Sequence, residues 1–68
     1  MQHHLRQLEH SLRRLPTGDR ALLMMYYYEE LSFRTMAQHL RLSEATVRRA
    51  VHAAEQRLRA MLTEDEVE

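Results

Sequence analysis

An all-α fold is predicted by three features of the 68-residue sequence. Glycine and proline occur once each, so few positions interrupt a helix. Leu, Arg, Ala and Glu, all good helix formers, are the commonest residue types. Apolar residues also recur at steps of three and four along most of the chain, the spacing of one helical face. A chain of this length makes one domain, and such a domain buries only ~60% of the surface its unfolded chain exposes, which leaves no space for a roomy catalytic cleft. Cysteine is absent, so disulfides, thiolate catalysis and Cys-based zinc sites are excluded and the apolar core alone must hold the fold. No apolar run approaches the ~20 residues of a membrane span, and the start, Met-Gln-His-His-Leu-Arg, lacks a signal-peptide layout. The expected location is the cytoplasm, with no membrane partner.

The first helix is expected over residues 2–14, where Leu5, Leu8, Leu12 and Leu15 form one stripe. Pro16, Thr17 and Gly18 hold the only proline and the only glycine and predict a turn. Asp19 then places a carboxylate at a helix N-terminus, and the apolar run 21–28, rich in Met and Leu, continues as helix two over 19–28. Ser32 can cap a third helix over 32–40, with Phe33, Met36, Ala37 and Leu40 as its apolar positions. Ser43 can cap a fourth over 43–62. There Val47, Val51, Ala54, Leu58 and Met61 fall within about 40° of one another on a helical wheel. The opposite face carries Ala45, Arg49, His52 and Gln56, flanked by Arg48 and Arg59. The predicted core is Leu8, Leu12, Leu22, Leu23, Met36, Ala37, Leu40, Leu42, Val47, Val51, Ala54 and Leu58. The reading divides the chain into a domain over 1–62 and a mobile acidic tail over 63–68.

Net charge is zero, but its distribution is uneven. All ten basic residues are arginines in the body, whose six acids leave it at about +4, while four acids crowd the last five residues. Arginine without lysine suits bidentate contacts with phosphate, guanine or carboxylate, and equally fits a GC-rich coding sequence.

Between residues 32 and 62 a short helix, a turn and a longer helix with a polar outer face make a helix-turn-helix layout. Ala37 is small enough for the second helix to cross closely, with Leu42 and Val47 filling the wedge. Capping by Ser43 sets Glu44 to Val47 at the tip that would meet base edges, with Arg48 and Arg49 just behind.

These residues carry a family resemblance. From Leu15 and Pro16 to Leu62 the chain resembles region four of the sigma-seventy family of bacterial transcription initiation factors, in particular the extracytoplasmic-function group. The carriers are Leu15-Pro16, Tyr27-Tyr28-Glu29-Glu30-Leu31-Ser32-Phe33, Met36-Ala37, Leu42-Ser43, Thr46-Val47-Arg48, Val51-His52 and Arg57-Leu58-Arg59. LuxR-type regulators share the core steps, whereas the upstream Leu-Pro and the downstream His and Arg-Leu-Arg favour sigma.

The resemblance implies binding to the minus-thirty-five promoter element through Ser43, Glu44, Thr46, Arg48, Arg49 and His52. It also implies a groove for the flap helix of the RNA polymerase β subunit, with Leu5, Leu8, Met24, Tyr28, Leu58, Met61 and Leu62 as its residues. The chain departs from the family where relatives usually have glycine: it has Glu30 before Leu-Ser and Arg41 in the turn. Either those positions avoid positive φ, or each costs of order 1 kcal/mol. Ala50, Ala53, Glu55 and Gln56 also stand where relatives commonly carry Arg or Lys, which lowers phosphate affinity. No segment supplies region two, which holds the polymerase clamp and melts promoters, so the chain is expected to be a stand-alone region-four-like protein or an excised domain.

Three functions follow, in order of preference. The first is a DNA-binding transcription regulator, one half of a split sigma factor or an activator touching polymerase. The second is a regulator that keeps the fold but binds polymerase, a sigma or an anti-sigma partner without needing DNA. The third is a LuxR-type effector module. Catalysis has no support: Ser32 and Ser43 read as caps, and no His and carboxylate converge on either by spacing. His3, His4 and His10 lack carboxylates at ligand spacing, so no metal, cofactor or small-molecule substrate is expected, and His39 reads as solvated. In the run Met24–Tyr28, at least Met25 or Tyr26 is expected to be exposed, because five consecutive residues cannot all face inward.

Overall fold

The computed structural model describes residues 2–66, with side chains described over 8–64. Among the described residues the fold is all-α, as expected: α1 Gln2–Arg14, α2 Thr17–Leu23 continuing directly into a π-helical turn Met24–Tyr28, α3 Phe33–Leu40 and α4 Glu44–Glu66. The molecule measures 40 × 18 × 15 Å. Its long axis suits the 23-residue α4, against which α1, α2 and α3 all pack.

The core is Leu15, Leu23, Met36, Ala37, Val47, Val51 and Ala54, ringed by half-buried Leu12, Leu22, Leu31, Phe33, Leu58 and Met61 among others. The stripe of α4 read from the sequence is therefore its packed face, with Val47 and Ala54 fully buried. Three expected core residues lie further out. Leu8 and Leu40 are 37% exposed and Leu42 is 46% exposed. Leu40 ends α3 and Leu42 lies in the turn, so neither has a helix laid over it, and Leu8 stands on the rim of a groove. The fully buried Ser11 of α1 and Leu15, just past its end, take the inward positions instead.

Helix α2 starts two residues earlier than expected. Pro16 at its N-cap has an extended backbone, and its carbonyl accepts the Arg20 N–H at 3.1 Å. Gly18 then lies within the first turn of α2, at ordinary φ. After Leu23 the winding loosens, and the Glu29 N–H donates to the Met24 carbonyl at 3.0 Å, five residues back. The expected order of exposure in this run is reversed: Met25 and Tyr26 are half-buried, whereas Met24, Tyr27 and Tyr28 face outward. Tyr26 stacks on Phe33, which accounts for its inward position.

Ser32 and Ser43 cap α3 and α4 as the sequence predicted. The Oγ of Ser32 accepts the Thr35 N–H at 3.0 Å, and the Oγ of Ser43 accepts the Thr46 N–H at 3.0 Å. Each cap follows a left-handed residue, Glu30 at φ 56° and Arg41 at φ 58°. At both sites the next residue donates back into the preceding helix, Leu31 to the Met25 carbonyl and Leu42 to the Ala37 carbonyl, each at 3.0 Å. The departures from glycine therefore occur where glycine would be favoured.

Helix α4 extends to Glu66 rather than ending at 62. Part of the acidic segment read as mobile is thus helical, and Arg14 donates to Glu64 at 3.3 Å. Residues 67–68 of that segment lie outside the described residues.

The backbone pattern predicts the effect of moving glycine. Glu30→Gly and Arg41→Gly should each stabilise the domain, by about 1 kcal/mol, because a left-handed L-residue costs more than the added chain entropy of glycine. Thermal melts should rise by roughly 4 to 8 °C for each. Arg41→Ala, which removes the charge but keeps the Cβ, should show no such gain.

Candidate nucleic-acid interface

The turn between α3 and α4 contains only Arg41, Leu42 and Ser43. Such a short link, with Ala37 buried on α3 and Val47 on α4, fixes where α4 begins relative to the core. All six residues expected at the DNA fall on the first half of α4 or its cap. Ser43, Glu44, Arg48, Arg49 and His52 are exposed, and Thr46 is half-buried. The Ser43 hydroxyl donates to Thr46 Oγ1 at 2.8 Å, and Arg49 donates to the same oxygen at 3.4 Å. The threonine hydroxyl thus serves the cap and steadies Arg49. Arg48 stands over the Phe33 ring at 5.3 Å from its centroid. Phe33 in this role was missed in the sequence, where it read only as an apolar position of α3. The exposed N-terminus of α4 adds partial positive charge to that of the two arginines, whereas Glu44 opposes it.

An apolar cavity of about 360 Å³ lies where a partner groove was expected. It brings together Leu8, Met24, Tyr28, Leu58 and Leu62. Met61 does not line it and packs against the core instead. The side chain of Leu5 lies outside the described residues. The sequence reading missed Tyr27, Glu55 and Arg59, which give the groove polar groups, and the Tyr27 hydroxyl donates to Glu55. Met24, Tyr27 and Tyr28 are spaced i, i+3 and i+4, so they share one side of their segment and reach the groove together.

A buried carboxylate lies between these two regions. Asp19 is 8% exposed and receives two hydrogen bonds from Arg57, one from Nε and one from Nη2 at 2.8 Å. Hydrogen bonding to Arg57 holds the Asp19 carboxyl below its usual range, against the opposing effect of burial, and Asp19 raises Arg57 in turn. Arg57 is therefore committed to the fold. The sequence placed Asp19 correctly near a helix start but held no signal for a partner 38 residues away.

Among the described residues no three His, Asp or Glu side chains form a group that could hold a metal. His3 and His4 lie outside the described side chains, and no described helix is long and apolar enough to cross a membrane.

The three-residue turn between α3 and α4, with a serine capping the second helix and two exposed arginines in its early turns, defines a helix-turn-helix. Comparison with known families narrows the class. A family model described as sigma-70, region 4, matches residues 5–58, and the chain belongs to that family. No curated protein and no solved structure matches the chain. Membership carries a general role in DNA-binding transcription regulation, in a family that is regulatory rather than enzymatic and generally binds promoter DNA and RNA polymerase.

The Asp19–Arg57 pair predicts a pH dependence with a definite sign. The folded pKa of Asp19 is lowered, so its stabilisation is present above the unfolded carboxylate value of about 4 and is lost as pH falls through the folded value. Asp19→Asn should melt below wild type at neutral pH, and melts repeated on acidification below about pH 4 should converge.

Proposed function

We propose that this domain is the region-four half of a split sigma factor of the extracytoplasmic-function type, acting in the cytoplasm. The start of α4 enters the major groove of the minus-thirty-five element, and the apolar groove receives the flap helix of the RNA polymerase β subunit. The observation that carries this reading is the division of α4 into opposed faces. Arg49 and Leu58 are nine positions apart, about two and a half turns at ~3.6 residues per turn, so they face opposite ways. DNA and a protein helix can therefore be held at once. Ser43, Glu44, Thr46, Arg48, Arg49 and His52 form the DNA side, while Leu8, Met24, Tyr28, Leu58 and Leu62 form the protein side. Leu5 and Met61 complete the proposed partner set, Met61 acting from beneath the groove.

In this reading Arg49 is the base-reading arginine, because its hydrogen bond to Thr46 steadies it and engages only one of its five donors. A second reading, a regulator that binds polymerase, a sigma or an anti-sigma protein without DNA, is favoured by one observation. Beyond His52 the outer face of α4 offers Gln56, Arg57 is engaged by Asp19, and Arg59 lines the groove, so less positive charge lies there than at the start of α4.

A salt-titrated DNA-binding assay beside a pull-down of polymerase and sigma subunits separates the two. Arg49→Ala should weaken binding to the preferred promoter by ~1–3 kcal/mol and relax its sequence preference, whereas a uniform loss over all sequences would assign Arg49 to phosphate. Leu62→Ser should reduce polymerase capture with DNA affinity unchanged. Capture of polymerase without measurable DNA binding would favour the second reading, and loss of neither activity in these variants would remove both sites.

A further inference from the structure

The contacts of Arg48 extend inward through a chain of rings. Its guanidinium carbon lies 5.3 Å from the centroid of Phe33. Phe33 is half-buried and stacks parallel to Tyr26 at 4.8 Å, and Tyr26 meets Tyr27 edge-on at 4.9 Å. Phe33 is the first residue of α3, immediately after the Ser32 cap, so its backbone is fixed by that cap. Tyr26 belongs to the π-helical turn. An exposed arginine on α4 is thereby steadied by two other elements of the fold.

The kind of contact matters more than its number. Arg57 spends its charge and two N–H groups on Asp19, and Arg14 donates to Glu64. Arg49 gives one N–H to Thr46. A ring beneath a guanidinium attracts it through the ring quadrupole and orients it, without requiring its in-plane N–H donors or neutralising its charge. Arg48 is therefore ordered while its hydrogen-bonding capacity stays available to an anion. Phosphate oxygens are the ligands that exploit such a planar fork, and contacts to them position a protein on a duplex independently of sequence.

We infer that Phe33, braced by Tyr26, is a positioning residue that holds Arg48 for a DNA phosphate. This rests on the DNA-binding reading of the α4 face and adds to it a residue from α3 that touches no DNA itself. It also separates the adjacent arginines: Arg48 grips the backbone and Arg49 reads bases.

The test uses the full chain and a mixed-sequence DNA duplex, since a phosphate contact is independent of sequence. Arg48→Ala should weaken binding and reduce the salt slope by about one. Phe33→Leu, which keeps apolar bulk without a ring face, should weaken binding about two- to fivefold, and Phe33→Tyr should restore it. In an Arg48→Ala background Phe33→Leu should have no further effect. If Phe33→Leu does not fold, Phe33→Met takes its place. A loss that persists in the Arg48→Ala background, or wild-type affinity in the ring-less variants, overturns the positioning role.

Ring-current shifts of the Arg48 side-chain proton resonances, measured without DNA, supply the second readout. They should be upfield in the wild type and in Phe33→Tyr, and absent in Phe33→Leu. Wild-type DNA binding with no ring-current shift at Arg48 overturns the positioning role alone. Absence of any wild-type DNA binding overturns the DNA reading and this role together.

Discussion

Three short helices in this domain depend on one long one. Isolated helices of 7, 8 or 13 residues are marginal in water, and this chain has no disulfide to hold them together. Each gains stability by laying an apolar face on α4, whose stripe of Val47, Val51 and Ala54 is the common floor of the core. Small residues at the contacts make that sharing possible. Ala37 on α3 and Ala54 on α4 are both buried, and methyl-sized side chains let helices approach closely. Because one face of α4 is fully engaged by the core, its remaining surface is divided lengthwise, with the outer start left to solvent and the far end shared with α1 and the π-helical turn.

That division also sorts the arginines. The excess of about +4 in the body of the sequence suggests a broadly basic surface, yet the structure assigns several charges to itself. Arg57 is bound to Asp19, Arg14 to Glu64, and Arg13 lies 3.8 Å from Glu9 along α1. The Asp19 pair differs from the others because its carboxylate is buried, so loss of the arginine would leave an uncompensated charge inside the fold. The exposed pairs contribute little by comparison. At the start of α4 no carboxylate pairs with Arg48 or Arg49 among the described residues, and positive charge available to a ligand is concentrated there.

Much of the fold was legible because it rests on local rules. The four-three stripe of α4, the small Ala37, and Ser32 and Ser43 at helix starts each state their role within a few residues. The parts that were not legible depend on distant partners. Tyr26 turns inward because Phe33 is there to receive it, and Met24, Tyr27 and Tyr28 are left on the side that lines the groove. Leu42 looks like a core residue by type, but a three-residue turn leaves no helix above it. Most of the expected groove residues converge because an apolar stripe that outruns the helix-turn-helix has to meet another element. Among the described side chains Met61 is the exception, since one step around the helix separates the groove wall from the core.

The left-handed residues connect the local rules to the site. Glu30-Leu31-Ser32 and Arg41-Leu42-Ser43 form the same device: a left-handed residue reverses the chain, a leucine N–H closes back on the preceding helix, and a serine caps the next one. The device is short, so it fixes the direction of the following helix with little freedom. Its first use sets Phe33 as the opening residue of α3, and its second sets Glu44 as the opening residue of α4. Strain at Glu30 and Arg41 is thus tied to the placement of both the ring and the arginines it serves. A longer, relaxed turn of ordinary φ would lower that local cost but would loosen the registration between α3 and α4. The distance from Arg48 to Phe33 depends on that registration, and a side chain is held by a ring only when the two helices that carry them are themselves held.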